Sequence, residues 1–227
     1  MDPIRNTLER KLSALSEHQS KKILQSYGIP TTTESLVQSA DEAVAAADSI
    51  GYPVALKPCS PELMHKSERG CIELHLKNGQ DVREAYRRVT VSVTEELEGV
   101  LVQEMVSGQR ELVMGLNRDP QFGPCVMLGL GGIFTELLED TVFRVAPFGR
   151  VEALDMTREL RSRAMLDKFR GQEPADIETI CRSLVALGTI GLDHPEISEI
   201  DVNPLIIDPH GRIVAVDALV VLEKGSE

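Results

Sequence analysis

The sequence predicts a mixed fold of helices and strands, either α+β or α/β. Short apolar runs with strand-like composition, such as residues 53–56 and 100–106, alternate irregularly with helical segments. No regular βαβ repeat occurs, and neither GxGxxG after the first strand nor GxxxxGK[ST] is present, which weakens the Rossmann and P-loop interpretations. A compositional seam near residues 95–100 separates a helical first part from a strand-rich second part.

The order of elements follows from caps, periodicity and turn residues. Capping-box patterns at residues 16–19 and 39–42 predict the starts of two helices, which Gly28 and Gly51 end. We predict an N-terminal arm over 1–15, a first lobe over 16–98 and a second lobe over 99–227. The expected strands are 34–38, 53–57, 72–76, 100–106, 111–116, 124–130, 141–145, 199–205 and one ending at 217; further helices are expected over 81–93 and 152–190, the latter broken at 171 and 174.

Composition excludes several classes of function. A net charge of −12 and a pI near 4.9 disfavour binding to nucleic acid or to anionic lipid. The N-terminus has no apolar signal region, and no apolar run approaches the length of a membrane span. The four cysteines show no metal-type spacing and are expected to be reduced thiols of a cytoplasmic protein.

The loop KPCSPELMHKSERG, residues 57–70, carries the groups that a phosphate needs around it. Two prolines shape it, and Lys57, Lys66, Arg69 and Ser67 surround His65. A neutral imidazole is nucleophilic and titrates near neutral pH, so His65 is a candidate acceptor of a phosphoryl group. Taken alone, a single histidine in a polar loop is more often a solvated surface residue.

Three further features fit a nucleotide site. Gln103–Val106 ends a buried strand with a carboxylate and backbone groups that a purine could pair with, although a solvated strand end is the simpler interpretation. The glycines of Gly129–Gly132 let backbone N–H groups approach an anion, although a tight turn would need them too. Asp201, Asn203 and Asp217 offer hard oxygen ligands of the kind that Mg²⁺ prefers, around a hairpin-like return.

Together these segments resemble a known family. The segment ALKPCSPELMHKSERG is similar to the phosphohistidine loop of the ATP-grasp subunit of ADP-forming acyl-CoA synthetases, such as ADP-forming acetyl-CoA synthetase. The segments around FGPCVMLGLGGIF and EISEIDVNPL resemble the nucleotide and metal segments of the same family, and the resemblance covers about residues 15–222. It implies an α+β ATP-grasp fold, with two α/β lobes and the nucleotide between them.

The resemblance also implies roles for individual residues. The family interconverts acyl-CoA, ADP and phosphate with acid, CoA and ATP, using ATP or ADP with Mg²⁺. A CoA-binding alpha subunit with its own phosphohistidine is the implied partner, in an α₂β₂ complex. His65 matches the phosphate-carrying histidine; the nucleotide-binding residues would be Lys57, Glu104, Val106, Glu111, Gly131 and Gly132, and the Mg²⁺ ligands Asp201, Asn203 and Asp217.

The sequence departs from the family pattern at the end of the loop. Where the family has Asp-x-Gly-Gly, this chain has Glu68-Arg69-Gly70-Cys71, and Leu219 replaces a frequent arginine. Two alternatives stay open beside the synthetase subunit: a non-catalytic ATP-sensing module, and a stand-alone carboxylate–amine ligase. Retention of His65 and Lys57 disfavours the sensor, and the short length leaves little room for the acceptor lobe of a ligase.

Overall fold

The computed structural model describes residues 3–63, 71–132, 140–168 and 171–223, and the chain divides into two compact units. Unit 1 contains residues 1–19 and 32–105, and unit 2 contains residues 20–31 and 106–227. The boundary therefore lies after residue 105 rather than at 99, because the strand of residues 99–104 pairs with strands of unit 1. Residues 20–31, which we expected in the first lobe, belong to unit 2.

Unit 1 is built on a four-stranded antiparallel sheet in the order β1-β4-β2-β3. Two helices, α3 and α4, cover one face of this sheet. Their alanine and valine side chains pack against apolar side chains of the sheet in a hydrophobic core. The elements are α1 (Pro3–Glu9), β1 (Glu34–Val37), α3 (Ala40–Ile50), β2 (Val54–Cys59), β3 (Glu73–Leu76), α4 (Gly79–Val91) and β4 (Gly99–Glu104).

The helices of unit 1 begin where their capping residues predict. The Ser39 hydroxyl accepts the N–H of Glu42, and the Glu42 carboxylate accepts the N–H of Gln38 in return, which is the expected capping box. Asn78 caps α4 in the same way through the N–H of Asp81. The first predicted helix start is also confirmed: α2 (Glu17–Ser26) follows Ser16, whose hydroxyl accepts the N–H of Gln19. The Gln19 side chain donates to Glu98, so the capping box expected there is only half formed.

Two predictions in unit 1 differ from the structure. Residues 1–15, expected as an arm or a loose helix, do contain the helix α1, but Ile4, Ala14 and Leu15 are buried, so the segment is packed rather than loose. Strand β2 does not stop at Lys57 but continues through Pro58, which pairs with Val100. The pairing of β2 with β3 ends at Leu56, so the missing N–H of Pro58 lies beyond that ladder.

Unit 2 is built on an antiparallel six-stranded sheet whose main path is β10-β8-β5-β6-β7, with β9 added to β8. Helix α6 packs on β5 and β6; in β6 the side chains of Pro124, Val126 and Leu128 are buried in alternation, and in β5 residues 112–116 are all buried. The elements are β5 (Arg110–Asp119), β6 (Gly123–Leu130), β7 (Thr141–Val145), α5 (Arg150–Glu159), a 3-10 turn (Arg163–Met165), α6 (Ile177–Asp193), β8 (Ile197–Ile207), β9 (Ile213–Ala215) and β10 (Leu219–Leu222).

An N-terminal segment completes unit 2. Thr31 forms a parallel bridge with Ala215, and the N–H of Ala215 donates to the Pro30 carbonyl at 2.9 Å. The Ser20 hydroxyl accepts the N–H of Val220 at 3.1 Å. Residues from both ends of the sequence therefore build this unit. Within the described part of the chain, no helix is both long and apolar enough to cross a bilayer.

Candidate functional site

The start of β5 and the end of β6 bring three predicted nucleotide-binding residues together. Leu112 pairs with Leu130, and beyond this pair the N–H of Gly131 donates to the Glu111 carbonyl at 2.8 Å. A Cβ at Gly131 would lie 2.9 Å from the Glu111 carbonyl carbon and from the Leu112 oxygen, so only glycine fits. Gly132 has a φ of +74°, and a Cβ there would lie 3.1 Å from Glu111 Oε2. Glu111, Gly131 and Gly132 thus form one cluster.

The three candidate Mg²⁺ ligands lie on one antiparallel return. Asp201 pairs with Leu219, and Leu205 pairs with Ala215. Asp217 lies between these two points, in the connection from β9 to β10. Asp201 and Asn203 alternate with the buried Ile200 and Val202, so they lie on one side of β8.

This oxygen-rich return and the glycine cluster lie on the same face of the sheet. Gly115 of β5 pairs with Asp201, and Glu111 is four residues earlier on the same strand, on the same side. The residues of β5 that alternate with these two face α6. There Leu116 Cδ1 would lie 2.4 Å from a Cβ built on Gly191 of that helix. Glu111 and Asp201 therefore lie on the face that α6 does not cover.

The oxygen set suits Mg²⁺ better than a transition metal. Within the described residues, no group of three or more His, Cys, Asp and Glu side chains is arranged to hold a metal ion. The predicted set has two carboxylates and one amide, and Mg²⁺ commonly takes few protein ligands and completes its shell with phosphate and water. The chemistry of these donors therefore fits a nucleotide-bound Mg²⁺.

In unit 1, Lys57 is buried and makes an ion pair that the sequence did not predict. Its Nζ lies 2.7 Å from Glu17 Oε1, and the two side chains are 5% and 1% exposed. We expected the ammonium to end a strand and to depend on phosphate for a partner, but it lies within β2 and has a carboxylate beside it. Removing one partner of such a pair costs about 3–5 kcal/mol. The sequence around Glu17 did not predict this contact, because it indicated only that Glu17 lies in a capping box.

The end of β4 is less open than the sequence predicted. The Glu104 carboxylate accepts the N–H of Thr33 at 2.6 Å, and the N–H of Glu104 donates to the Thr33 carbonyl at 3.0 Å. The N–H of Met105 donates to Pro53 at 3.4 Å. Two N–H groups that we expected to face a purine are thus already bonded within unit 1. Val106 is half-buried, and the adenine-binding role of Glu104 and Val106 stays a prediction.

His65 lies outside the described residues, as does the rest of segment 64–70. The chain on both sides is anchored, because Leu63 and Cys71 are buried. Ser60 begins a turn in which its carbonyl accepts the N–H of Leu63 at 3.3 Å and its hydroxyl accepts the N–H of Glu62 at 3.3 Å. Cys71, which stands where the family has glycine, is therefore accommodated as a buried side chain.

Two buried polar residues that the sequence did not single out support the glycine cluster. Arg110, adjacent to Glu111, is 2% exposed and donates to the carbonyls of Met165, Asp167, Glu173 and Asp208. It thereby joins β5 to two connections of unit 2. A basic residue beside an acidic one in a strand gave no indication of this role.

Asp140 supports the other side of the cluster. Its carbonyl accepts the N–H of Leu130, and its carboxylate accepts those of Arg161 and Ser162 at 2.9 and 2.7 Å. Burial acts to raise the pKa of Asp140, but hydrogen bonds from Ser162 and Arg161 outweigh burial, and the pKa lies below its ordinary value. The carboxylate therefore stays ionised and fixes the chain next to Gly131.

Comparison with known proteins identifies the family of the chain. A family model for the ATP-grasp domain matches residues 6–222. The beta subunit of ADP-forming acetate–CoA ligase I from Pyrococcus furiosus is 41% identical over 213 residues, covering 92% of this chain and 91% of that one. The beta subunit of ligase II from the same organism is 36% identical over 227 residues, covering 97% and 96%.

A solved structure extends the likeness to three dimensions. It is an acetyl-coenzyme A synthetase of Ca. Korarchaeum cryptofilum, in complex with coenzyme A and Mg-AMPPCP, with its phosphohistidine segment pointing towards the nucleotide-binding site. The TM-score is 0.86 at 42% identity, with 98% of this chain and 99% of that chain covered. The chain therefore belongs to the ATP-grasp family, and its close homologues are the beta subunits of ADP-forming acetate–CoA ligases.

Proposed function

We propose that this chain is the nucleotide-binding, phosphoryl-transferring beta subunit of an ADP-forming acyl-CoA synthetase. The observation that carries the proposal is the shared sheet face that holds Glu111 beside Gly131 and Gly132, with Asp201 of the oxygen-rich return on the same side. A nucleotide phosphate needs both kinds of group, N–H donors that approach closely and hard oxygens for its metal ion. The overall reaction is acyl-CoA + ADP + phosphate = acid + CoA + ATP.

Within this reaction the chain's residues divide the work. His65 accepts a phosphoryl group as a phosphohistidine and releases it to ADP, so that its N–P bond breaks as a P–O bond to the nucleotide forms. Lys57 holds a phosphate oxygen, and Gly131 and Gly132 let the backbone approach the phosphates without a Cβ in the way. Asp201, Asn203 and Asp217 would hold Mg²⁺, which supplies charge neutralisation to the phosphates. Glu104 and Val106 contact the adenine end, and Glu111 lies near the nucleotide.

We further propose that a separate alpha subunit supplies the acyl-CoA chemistry, in an α₂β₂ complex. The relatives of comparable length are named as beta subunits, which implies an alpha partner for them. The chain alone should then bind Mg·ADP or Mg·ATP without forming acyl-CoA. We place the reaction in the cytoplasm, and the four free cysteines support a reducing compartment.

The labelling of His65 tests the proposal. Chain incubated with γ-labelled ATP and Mg²⁺ should acquire label that is lost in acid and retained in base, as expected of a phosphohistidine. His65→Asn should remove the label and the turnover measured with a partner subunit, while nucleotide binding stays nearly intact, because the imidazole reacts rather than holds.

His75→Asn is the matched control, since His75 lies on β3 in the same unit, outside the loop, and its side chain is exposed. It should keep both the label and the turnover. Label that persists in His65→Asn would refute the carrier. Acyl-CoA synthesis by the purified chain without a partner would favour the stand-alone ligase instead, and nucleotide binding without any label in the wild type would favour the sensor.

A further inference from the structure

The face of the unit 1 sheet opposite α3 and α4 is polar around Lys57. Val54 and Leu56 of β2 belong to the core beneath α3 and α4, so Lys57 projects to the other side. There the register aligns Lys57 with Leu101, and the neighbouring row aligns Glu34 with Gln103. A cation, a carboxylate and an amide therefore share a face that would otherwise be apolar.

The start of α2 covers this face and makes three separate polar contacts with it. Glu17 binds Lys57 of β2 at 2.7 Å, and His18 Nδ1 lies 2.9 Å from Glu34 Oε1 of β1. Gln19 Nε2 donates to Glu98 at 3.1 Å, just before β4. Three consecutive residues thus bind three different segments, which fixes the position of the Glu17 carboxylate relative to Lys57.

A buried lysine needs such a carboxylate if it is to stay charged. Burial favours the neutral amine, and a nearby opposite charge favours the ammonium. An ammonium carries three donors, so a bond to Glu17 is compatible with a second bond to an anion. Among the described residues, the titratable groups on the elements around Lys57 include Glu17 and His18 on α2 and Glu34 on β1; β4 contributes the neutral Gln103.

We propose that Glu17 is the positioning residue of Lys57, holding the lysine protonated and oriented so that it can bind nucleotide phosphate. This rests on the proposed function, since it gives Lys57 a phosphate to bind. Glu17 does not touch the nucleotide; it acts through the ammonium. In the absence of nucleotide, the ion pair with Glu17 already keeps Lys57 protonated and oriented. Phosphate binding then needs no proton uptake.

The test is calorimetric titration of the full chain with Mg·ATP, in two buffers of different ionisation enthalpy. Glu17→Gln keeps the shape and removes the charge. We expect its affinity to fall about ten- to hundredfold, the loss expected for one charge-assisted hydrogen bond, with about one proton taken up on binding. Wild type should take up none. Glu17→Asp keeps the charge and should retain most of the affinity.

A double-mutant cycle separates positioning from packing. In a Lys57→Met background, Glu17→Gln should cause no further loss of affinity, because the residue through which Glu17 acts is absent. His18→Asn is the matched control: it removes the neighbouring contact of the same turn and should leave affinity within about twofold of wild type, with no linked proton.

Three outcomes would overturn the inference: wild-type affinity in Glu17→Gln, the same loss with and without Lys57, or a loss without proton uptake. If Glu17→Gln fails to fold, Glu17→Asp and Lys57→Met still test the inference. An equal loss of affinity in Glu17→Asp and in His18→Asn would indicate that Glu17 contributes packing alone. Failure of the wild type to bind Mg·ATP would instead refute the proposed function.

Discussion

The Gly132→Ala substitution most directly tests the cluster of Glu111, Gly131 and Gly132. Gly132 has a positive φ, and the Cβ that alanine adds would lie 3.1 Å from Glu111 Oε2, closer than an ordinary van der Waals contact. The neighbouring atom is the end of a flexible side chain, so the chain can still fold, but the Glu111 carboxylate has to move by a few tenths of an ångström. We expect both the free energy of unfolding and the affinity for nucleotide to fall, and the loss of affinity to be specific to this glycine.

Two contributions set the magnitudes. An alanine in the left-handed region costs about 1–2 kcal/mol, which lowers the free energy of unfolding. A hydrogen bond to a charged group contributes about 1.5–3 kcal/mol, and displacement of Glu111 should weaken such a bond rather than remove it. An increase in the Kd for Mg·ATP of about tenfold, or roughly 1.4 kcal/mol, is therefore expected.

Gly123→Ala provides the matched control in the same sheet. Gly123 has a φ of +79°, close to that of Gly132, but a Cβ there meets no atom within 4 Å. Urea unfolding should show similar losses of stability in the two variants, since the backbone strain is the same. Calorimetric titration with Mg·ATP should show a weaker Kd only in Gly132→Ala.

The reasoning would be refuted by equal Kd values in wild type and Gly132→Ala at a confirmed loss of stability. It would also be refuted if Gly123→Ala weakened binding as much as Gly132→Ala. In either case Glu111 would not be near the nucleotide. The close packing of Gly131 and Gly132 on Glu111 would then only stabilise the pairing of β5 with β6.

Three further predictions concern unit 2. Asp140→Asn should lower the free energy of unfolding most at neutral pH. The pKa of Asp140 is lowered in the folded state, so the contribution of its carboxylate to stability is present above about pH 3.8 and is lost as the pH falls further. Urea unfolding should therefore show a smaller difference between wild type and variant at pH 3 than at pH 7. Asp201→Asn and Asp217→Asn should raise the Mg²⁺ concentration needed for half-maximal turnover with little change in thermal stability; unchanged activity at limiting Mg²⁺ in both would move the metal site elsewhere. Arg110→Met should cost at least about 3 kcal/mol in urea unfolding, because four carbonyls lose a charged donor, and a loss below about 1 kcal/mol would contradict that role.

Local signals predicted much of the fold. The capping residues Ser16 and Ser39 placed the starts of α2 and α3, and apolar runs placed most strands to within a few residues. These signals act between residues close in sequence, so a single sequence contains them. The last strand was expected to end at Asp217, but β9 ends at Ala215 and β10 (Leu219–Leu222) was not expected. Strand β5 was expected to end at Leu116, but it runs to Asp119 because that carboxylate closes a tighter turn, accepting the N–H groups of Gln121 and Phe122.

The candidate site was predicted as a set of residue types rather than as a geometry. Gly131 and Gly132 were expected to receive an anion, and the structure adds that Glu111 lies against them. The partner of Lys57 could not be found, because Glu17 is separated from it by 40 residues and nothing in sequence links the two. Pairings between distant segments are fixed by the sheet register, which the sequence alone does not determine.

The composition of unit 2 from two distant segments has a consequence for how the chain folds. The bond between Ser20 and Val220 spans 200 residues, and Thr31 meets Ala215 across most of the chain. During synthesis, residues 20–31 therefore have to wait until residues 215–220 have been made before they find their partners. A fragment beginning at Val106 would leave the N–H groups of Ala215 and Val220 without their acceptors. Unit 2 is thus a compact body that no single cut of the gene can isolate intact.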